Sequence, residues 1–125
     1  MASILRVDTL TDTSSNNSVA TSVIFNGTAK AWIFTNQASA VDSYNMSATT
    51  DHGTGHYTNS ITSDFSSANW LISHEAGLEG ETYGLYLEDS SVAKTAGAIK
   101  FKTNSHANAV QDASKIQQIC FGDLA

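Results

Sequence analysis

Apolar side chains recur at every second position along most of this chain, and that period decides what it can become. In Ala98-Ile99-Lys100-Phe101-Lys102-Thr103, Ile and Phe fall on one side and Lys on the other. In His56-Tyr57-Thr58-Asn59-Ser60-Ile61-Thr62, Tyr57, Asn59 and Ile61 face one way. Only an extended strand collects alternate residues on one face, whereas a helix needs apolar residues at i, i+3, i+4 and i+7. Windows of the helical kind are hard to find here. The expected fold class is all-β, an antiparallel sandwich or jelly-roll-like domain of about eight strands.

Local signals place the strands. Residues 1–21 read as an N-terminal arm, with one short strand in Ile4-Leu5-Arg6-Val7-Asp8-Thr9-Leu10 and a polar exposed connection over 11–18. The β domain spans 22–125. Ser22-Val23-Ile24-Phe25 runs into Asn26-Gly27, a strong two-residue hairpin signal, and a return strand is expected over 28–35. That strand sets Lys30, Trp32 and Phe34 against Ala29, Ala31 and Ile33. Its small face suits close approach by another chain or sheet. Tyr44–Thr50 is read as one strand, turning through Asp51-His52-Gly53-Thr54-Gly55 into 56–62, with two glycines available for positive φ. Further strands are expected at 70–74, 82–88, 98–103 and 115–122. Ala76–Glu81 reads as a loop, and 105–114 as a small polar stretch with room for one helical turn.

Composition narrows the function. Twelve acids and six scattered bases give a net charge of −6, which leaves no electrostatic footprint for nucleic acid. No apolar run approaches the roughly 20 residues of a membrane span, so no membrane insertion is expected. The start of the chain lacks a basic segment followed by an apolar one, so a cytoplasmic site of synthesis and assembly is expected. The single cysteine, Cys120, excludes an internal disulfide and reads as a small buried hydrophobe.

Candidate chemistry is sparse. His52 and His56 have a His-x₃-His spacing beside Asp51, but Gly53 and Gly55 break any helix that would align two metal ligands. Loop histidines are the ordinary reading, and a metal at a symmetry axis is the alternative. Glu75, Glu79 and Glu81, with Asp64 upstream, read as a solvated acidic loop rather than a calcium or acid/base site. Asn16, Asn26 and Asn45 match the glycosylation pattern by coincidence in a chain that is about a third Ser, Thr and Asn. Trp32, Phe34, Tyr44, Tyr57, Trp70, Tyr83, Tyr86 and Phe101 read as core or chain–chain contact, and a buried Trp32 would cost about 3–5 kcal/mol on truncation to Ala. An exposed aromatic platform for sugar is the alternative. No catalytic residue, cofactor or metal ligand is assigned, and receptor-binding residues are unknown.

Phe25-Asn26-Gly27-Thr28-Ala29-Lys30-Ala31-Trp32-Ile33-Phe34, followed by Asp42-Ser43-Tyr44-Asn45-Met46-Ser47-Ala48-Thr49-Thr50-Asp51-His52-Gly53-Thr54-Gly55-His56-Tyr57-Thr58, resembles a module of tail-fibre-like proteins of marine tailed bacteriophages. The resemblance covers roughly 24–75, with 1–10 similar to the N-terminal segment of those proteins. It implies a virion appendage, a homotrimer without enzyme activity. The expected function is a short tail-fibre or tail-tip component contributing to host surface attachment. A trimeric capsid decoration protein is the alternative, and a sugar-cleaving virion enzyme a third, which lacks a recognisable carboxylate pair. Expected partners are copies of the chain itself, another virion protein held through the arm, and a host cell-surface polysaccharide. The shortness of the chain departs from a long fibre and suits a tip or knob.

Overall fold

The structure, a computed structural model, describes residues 4, 6–15, 17–36, 39–78, 81–82, 84–87 and 94–125. A small hairpin comes first, β1 (Thr9–Thr11) with β2 (Ser18–Ala20), followed by helix α1 (Thr21–Gly27). Among the described residues, nine further strands form an all-β sandwich: β3 (Ala31–Asn36), β4 (Ser39–Tyr44), β5 (Met46–Asp51), β6 (His56–Ile61), β7 (Leu71–Leu78), β8 (Glu81–Thr82), β9 (Gly84–Leu87), β10 (Ala98–Asn104) and β11 (Lys115–Phe121). One sheet has the order β4-β3-β11-β7-β8 and the other β5-β6-β10-β9. The strand pairings are antiparallel.

The alternation seen in the sequence sorts residues between core and surface. β6 buries Tyr57, Asn59 and Ile61, and β10 buries Ile99, Phe101 and Thr103. From the opposite sheet come Ala31, Ile33, Ile116 and Cys120. Tyr57 and Phe101 stack with centroids 5.6 Å apart. Phe65 and Trp70 stack at 4.9 Å and close one end of the core. A polar seam crosses the interior: Thr49 Oγ1 donates to Asn59 Oδ1 at 2.7 Å, and Asn59 Nδ2 donates to Gln118 Oε1 at 2.6 Å. Buried amides need such partners, because an unpaired one costs about 1–3 kcal/mol. The small face of β3 is the one the opposite sheet of the same chain approaches.

Two expectations fail at the strand entries. Ser22–Phe25 is not a strand turning at Asn26-Gly27; it belongs to α1, whose residues are all outside the core. Both sides of β3 are already taken, by β4 and β11, so no seat remains for a hairpin partner. Gly27 accordingly lacks the positive φ of a two-residue hairpin turn. Thr28 Oγ1 donates to Ile24 O and closes the helix end.

Tyr44–Thr50 is not one strand either. The chain leaves the five-stranded sheet at Tyr44 and enters the four-stranded sheet at Met46. Asn45 makes the corner alone, with φ 54, a region Asn tolerates better than most residues. Its amide donates to Lys30 O at 3.0 Å and Ser63 O at 3.1 Å, and its Oδ1 accepts from Ser63 N at 2.7 Å. Further on, β7 runs through Ala76 and Gly77 to Leu78 where a loop was expected, because β11 pairs along its length. The expected strand at 82–88 is divided between sheets: β8 pairs with β7 and β9 with β10, with Tyr83 and Glu88 outside the described residues. The 105–114 stretch forms a tight turn at Asn108 (φ 59) rather than a helical turn, with Ser105 N donating to Ala109 O.

Candidate functional site

The ordered motifs of residues 30–58 resolve into framework roles. In the Asp51–Gly55 turn, Gly53 has φ 112 and Gly55 φ 68, and Asp51 Oδ1 accepts from Gly53 N at 2.8 Å. Gly55 is also sterically required, since a Cβ there would lie 2.7 Å from Val110 Cγ1 and 2.9 Å from Thr103 O. Asp112 Oδ1 accepts from Gly55 N at 2.6 Å and from the Tyr57 hydroxyl at 2.8 Å, tying the turn to the 105–114 segment. Burial, then the Asp112 hydrogen bond, push the Tyr57 hydroxyl well above its ordinary pKa. Tyr57 is therefore a neutral donor in a structural tie.

The chemical candidates do not converge. His52 flanks the turn, its Nε2 2.8 Å from Thr58 Oγ1, and His56 begins β6. Among the described residues no three His, Cys, Asp or Glu side chains gather as a metal site. Glu75 lies on β7. Asp64 sits on a different segment, its carboxylate packed against Gly97 so closely that a Cβ there would be 2.5 Å from Oδ1. Glu79 lies outside the described residues, as do Asn16 and Tyr83. The Asn45 amide is occupied at the corner. Cys120 is buried, and burial pushes its thiol up to about 12, which removes the thiolate a reactive cysteine needs. Lys94 bonds Trp70 O, stands 4.8 Å over the Trp70 ring and slightly opposes that shift.

The two outer faces of the sandwich carry different rows of residues. On the outer side of the four-stranded sheet, register places Thr58, Ser60, Lys100 and Lys102 together with His56, Ala98 and, at a position paired with Lys102, Tyr86. Outside the five-stranded sheet, register puts Tyr44, Trp32, Ile119 and Ser73 in one row across β4, β3, β11 and β7. The next row holds Asp42, Phe34, Gln117 and Glu75. Tyr44 is 56% exposed, Ile119 44% and Leu71, at the end of this face, 68%; Trp32 and Phe34 are half-buried. Trp32 reads in the sequence as core or chain–chain contact, with an exposed platform as the alternative; of these the core reading is corrected. Alternation makes Ala31, Ile33 and Thr35 the inner residues of β3, so Trp32 must point outward. Among the described residues, Tyr57, Phe65, Trp70 and Phe101 are the aromatics of the core.

No family model, curated protein or solved structure matches this chain. Geometry must therefore carry the functional reading. A shallow groove of about 190 Å³ runs between β7 and β11, lined by Ser73, Glu75, Gln117 and Ile119 among others. A second cleft, about 380 Å³, opens at one end beside Asn26, Ser67, Asn69 and Asp123. Its aromatic wall, Phe65 and Trp70, is almost wholly buried, so it offers polar edges and no ring face. The outer face of the five-stranded sheet carries Trp32, Phe34 and Tyr44, three of the aromatics read from the sequence as core or chain–chain contact. The signal for it is the alternation of Trp32 and Phe34 against Ala31 and Ile33, which does not by itself say which face turns inward.

Proposed function

We propose that this chain is a structural module of a bacteriophage virion appendage, a short tail-fibre or tail-tip component that contributes to host surface attachment. The observation that carries the reading is the role of the residues on which the resemblance to tail-fibre-like proteins rests. Ala31 in the core, Asn45 at the corner, Gly53 and Gly55 in the turn and Tyr57 in its tie each hold the sandwich together. Motifs of that kind mark a scaffold, and they support a resemblance of architecture rather than of catalysis. Residues 1–21 serve in this reading as the attachment arm. The exposed strand pairing of Thr9–Thr11 with Ser18–Ala20 supports that role, since an arm outside the core is free to dock on a neighbour.

Homotrimer formation belongs to the same proposal. It is supported by β4, a six-residue edge strand exposed along its whole length, because open edges favour pairing with further chains. The test is antibody labelling of intact particles together with light scattering of the purified protein. Label at the tail and a trimer mass are expected. Label spread over the head would establish capsid decoration instead, and absence from particles would refute both. A chain lacking residues 1–21 is expected to remain folded and fail to incorporate; full incorporation would remove the arm from the proposal.

A further inference from the structure

We propose that the outer face of the five-stranded sheet is a binding platform for a neutral hexose polysaccharide. The inference deepens the appendage reading, on which it rests for its biological setting. Its physical basis is separate: aromatic rings stand beside hydrogen-bonding groups on a surface with few charges.

Trp32 and Phe34 alternate on one strand and Tyr44 pairs with Trp32 across the ladder. These rings supply flat apolar surface that a pyranose C–H face can cover. Adjacent on the same face lie Gln117, Glu75, Ser73 and Asp42, which offer an amide, a hydroxyl and two carboxylates to sugar hydroxyls. Amphipathic rings with nearby polar groups suit a ligand that is apolar on its faces and polar at its rim.

Size separates this occupant from a second copy of the chain. Four strands about 4.8 Å apart, with rows about 7 Å apart along them, give a patch of roughly 200–400 Å². A stable protein–protein interface needs roughly 800 Å² per partner. The patch fits a short run of sugar rings instead. Charge selects among sugars: Asp42 and Glu75 stand in the second row, and Lys115 is one lysine at its edge. An acidic glycan would meet like charge, so a neutral one is favoured.

The experiment uses the purified chain with a soluble β-glucan, a galactan and a mannan, in affinity electrophoresis and acrylamide quenching. The chain has two tryptophans; Trp70 is 3% exposed, so quenching reports on Trp32. At least one polysaccharide should retard the protein and shield Trp32 from acrylamide. Trp32→Ala and the milder Gln117→Ala should each weaken retardation, the former about tenfold. Lys100→Ala with Lys102→Ala, on the opposite face, should leave it unchanged. Retardation by none of the three, or retardation indifferent to both Trp32→Ala and Gln117→Ala, would overturn the platform. So would a change in assembly mass in Trp32→Ala, which would make the face a contact between copies. Tail labelling without polysaccharide binding would overturn this site alone, and polysaccharide binding with no particle association would overturn the appendage reading alone.

Discussion

Replacing Asn45 dissects the corner of the sandwich into its parts. Asn45→Ala removes two amide donations and one accepted bond, to Lys30 O, Ser63 O and Ser63 N. At about 1 kcal/mol net per bond the loss is about 3 kcal/mol. Alanine also resists the positive φ held there, which adds about 1–2 kcal/mol. The expected destabilisation is therefore about 4–5 kcal/mol, a large share of the stability of an ordinary domain. Asn45→Gly loses the same bonds and adopts the φ freely, so it should be milder than Ala by about 1 kcal/mol. Asn45→Asp keeps the acceptor for Ser63 N but turns a carboxylate toward two carbonyl oxygens, and should fall near Ala. Urea unfolding followed by fluorescence of buried Trp70 measures all three at constant slope. An Asn45→Ala loss below about 1 kcal/mol would refute the corner as a stability determinant. Equal losses for Gly and Ala would refute the backbone part alone.

Other substitutions test the remaining features. Trp32→Ala should cost under about 2 kcal/mol, because its ring is half-buried, whereas Phe101→Ala should cost about 3–5 kcal/mol; equal values in urea melts would return Trp32 to the core. Gly55→Ala should destabilise by about 2–4 kcal/mol through its φ and the crowding by Val110 and Thr103, while Gly27→Ala, with open space around it, should be near neutral; the two thermal midpoints decide this. The buried Cys120 thiol stays protonated to about 12 when folded, against an ordinary value of 9.0. The unfolded chain loses that proton first, so this contribution to stability is full below pH 9 and is lost as pH rises toward 12. Urea midpoints for the wild type and Cys120→Ala across pH 8 to 11 should converge as pH rises; parallel curves would argue against a buried thiol.

Alternation made much of the sandwich legible. Ile99 and Phe101 are inward as read, Tyr57 and Ile61 share one face as read, which is the inner one, and the Asp51–Gly55 turn joins β5 to β6 as expected. What alternation cannot supply is which of two faces points in when both carry apolar residues. On β3 Trp32 and Phe34 fit either the core or a contact between chains, and the sheets meet through Ala31, Ile33 and Thr35. Nor can a local signal see the occupants of a sheet. Asn26-Gly27 is a good hairpin sequence, but β11, distant in the chain, holds the place its strand would need. The corner at Asn45 was visible only as one asparagine inside an apparently continuous strand. Of the proposed platform, Trp32, Phe34 and Tyr44 were visible in the sequence as aromatics, whereas Gln117 and Ser73 join them only because register aligns strands remote from each other.

The central position of β11 governs when this protein can fold during synthesis. β3 and β7 each pair with it, through contacts as remote as Ala31 with Cys120, and β11 leaves the ribosome after both. Until it arrives, β3 and β7 have no common neighbour and Asn59 has no Gln118 to meet. Contacts this distant slow folding and leave strand edges open meanwhile. The nascent chain therefore spends its growth with β3 paired only to β4, its other edge open until β11 is made. Circular permutants that bring β11 forward, between β3 and β7, would shorten that interval.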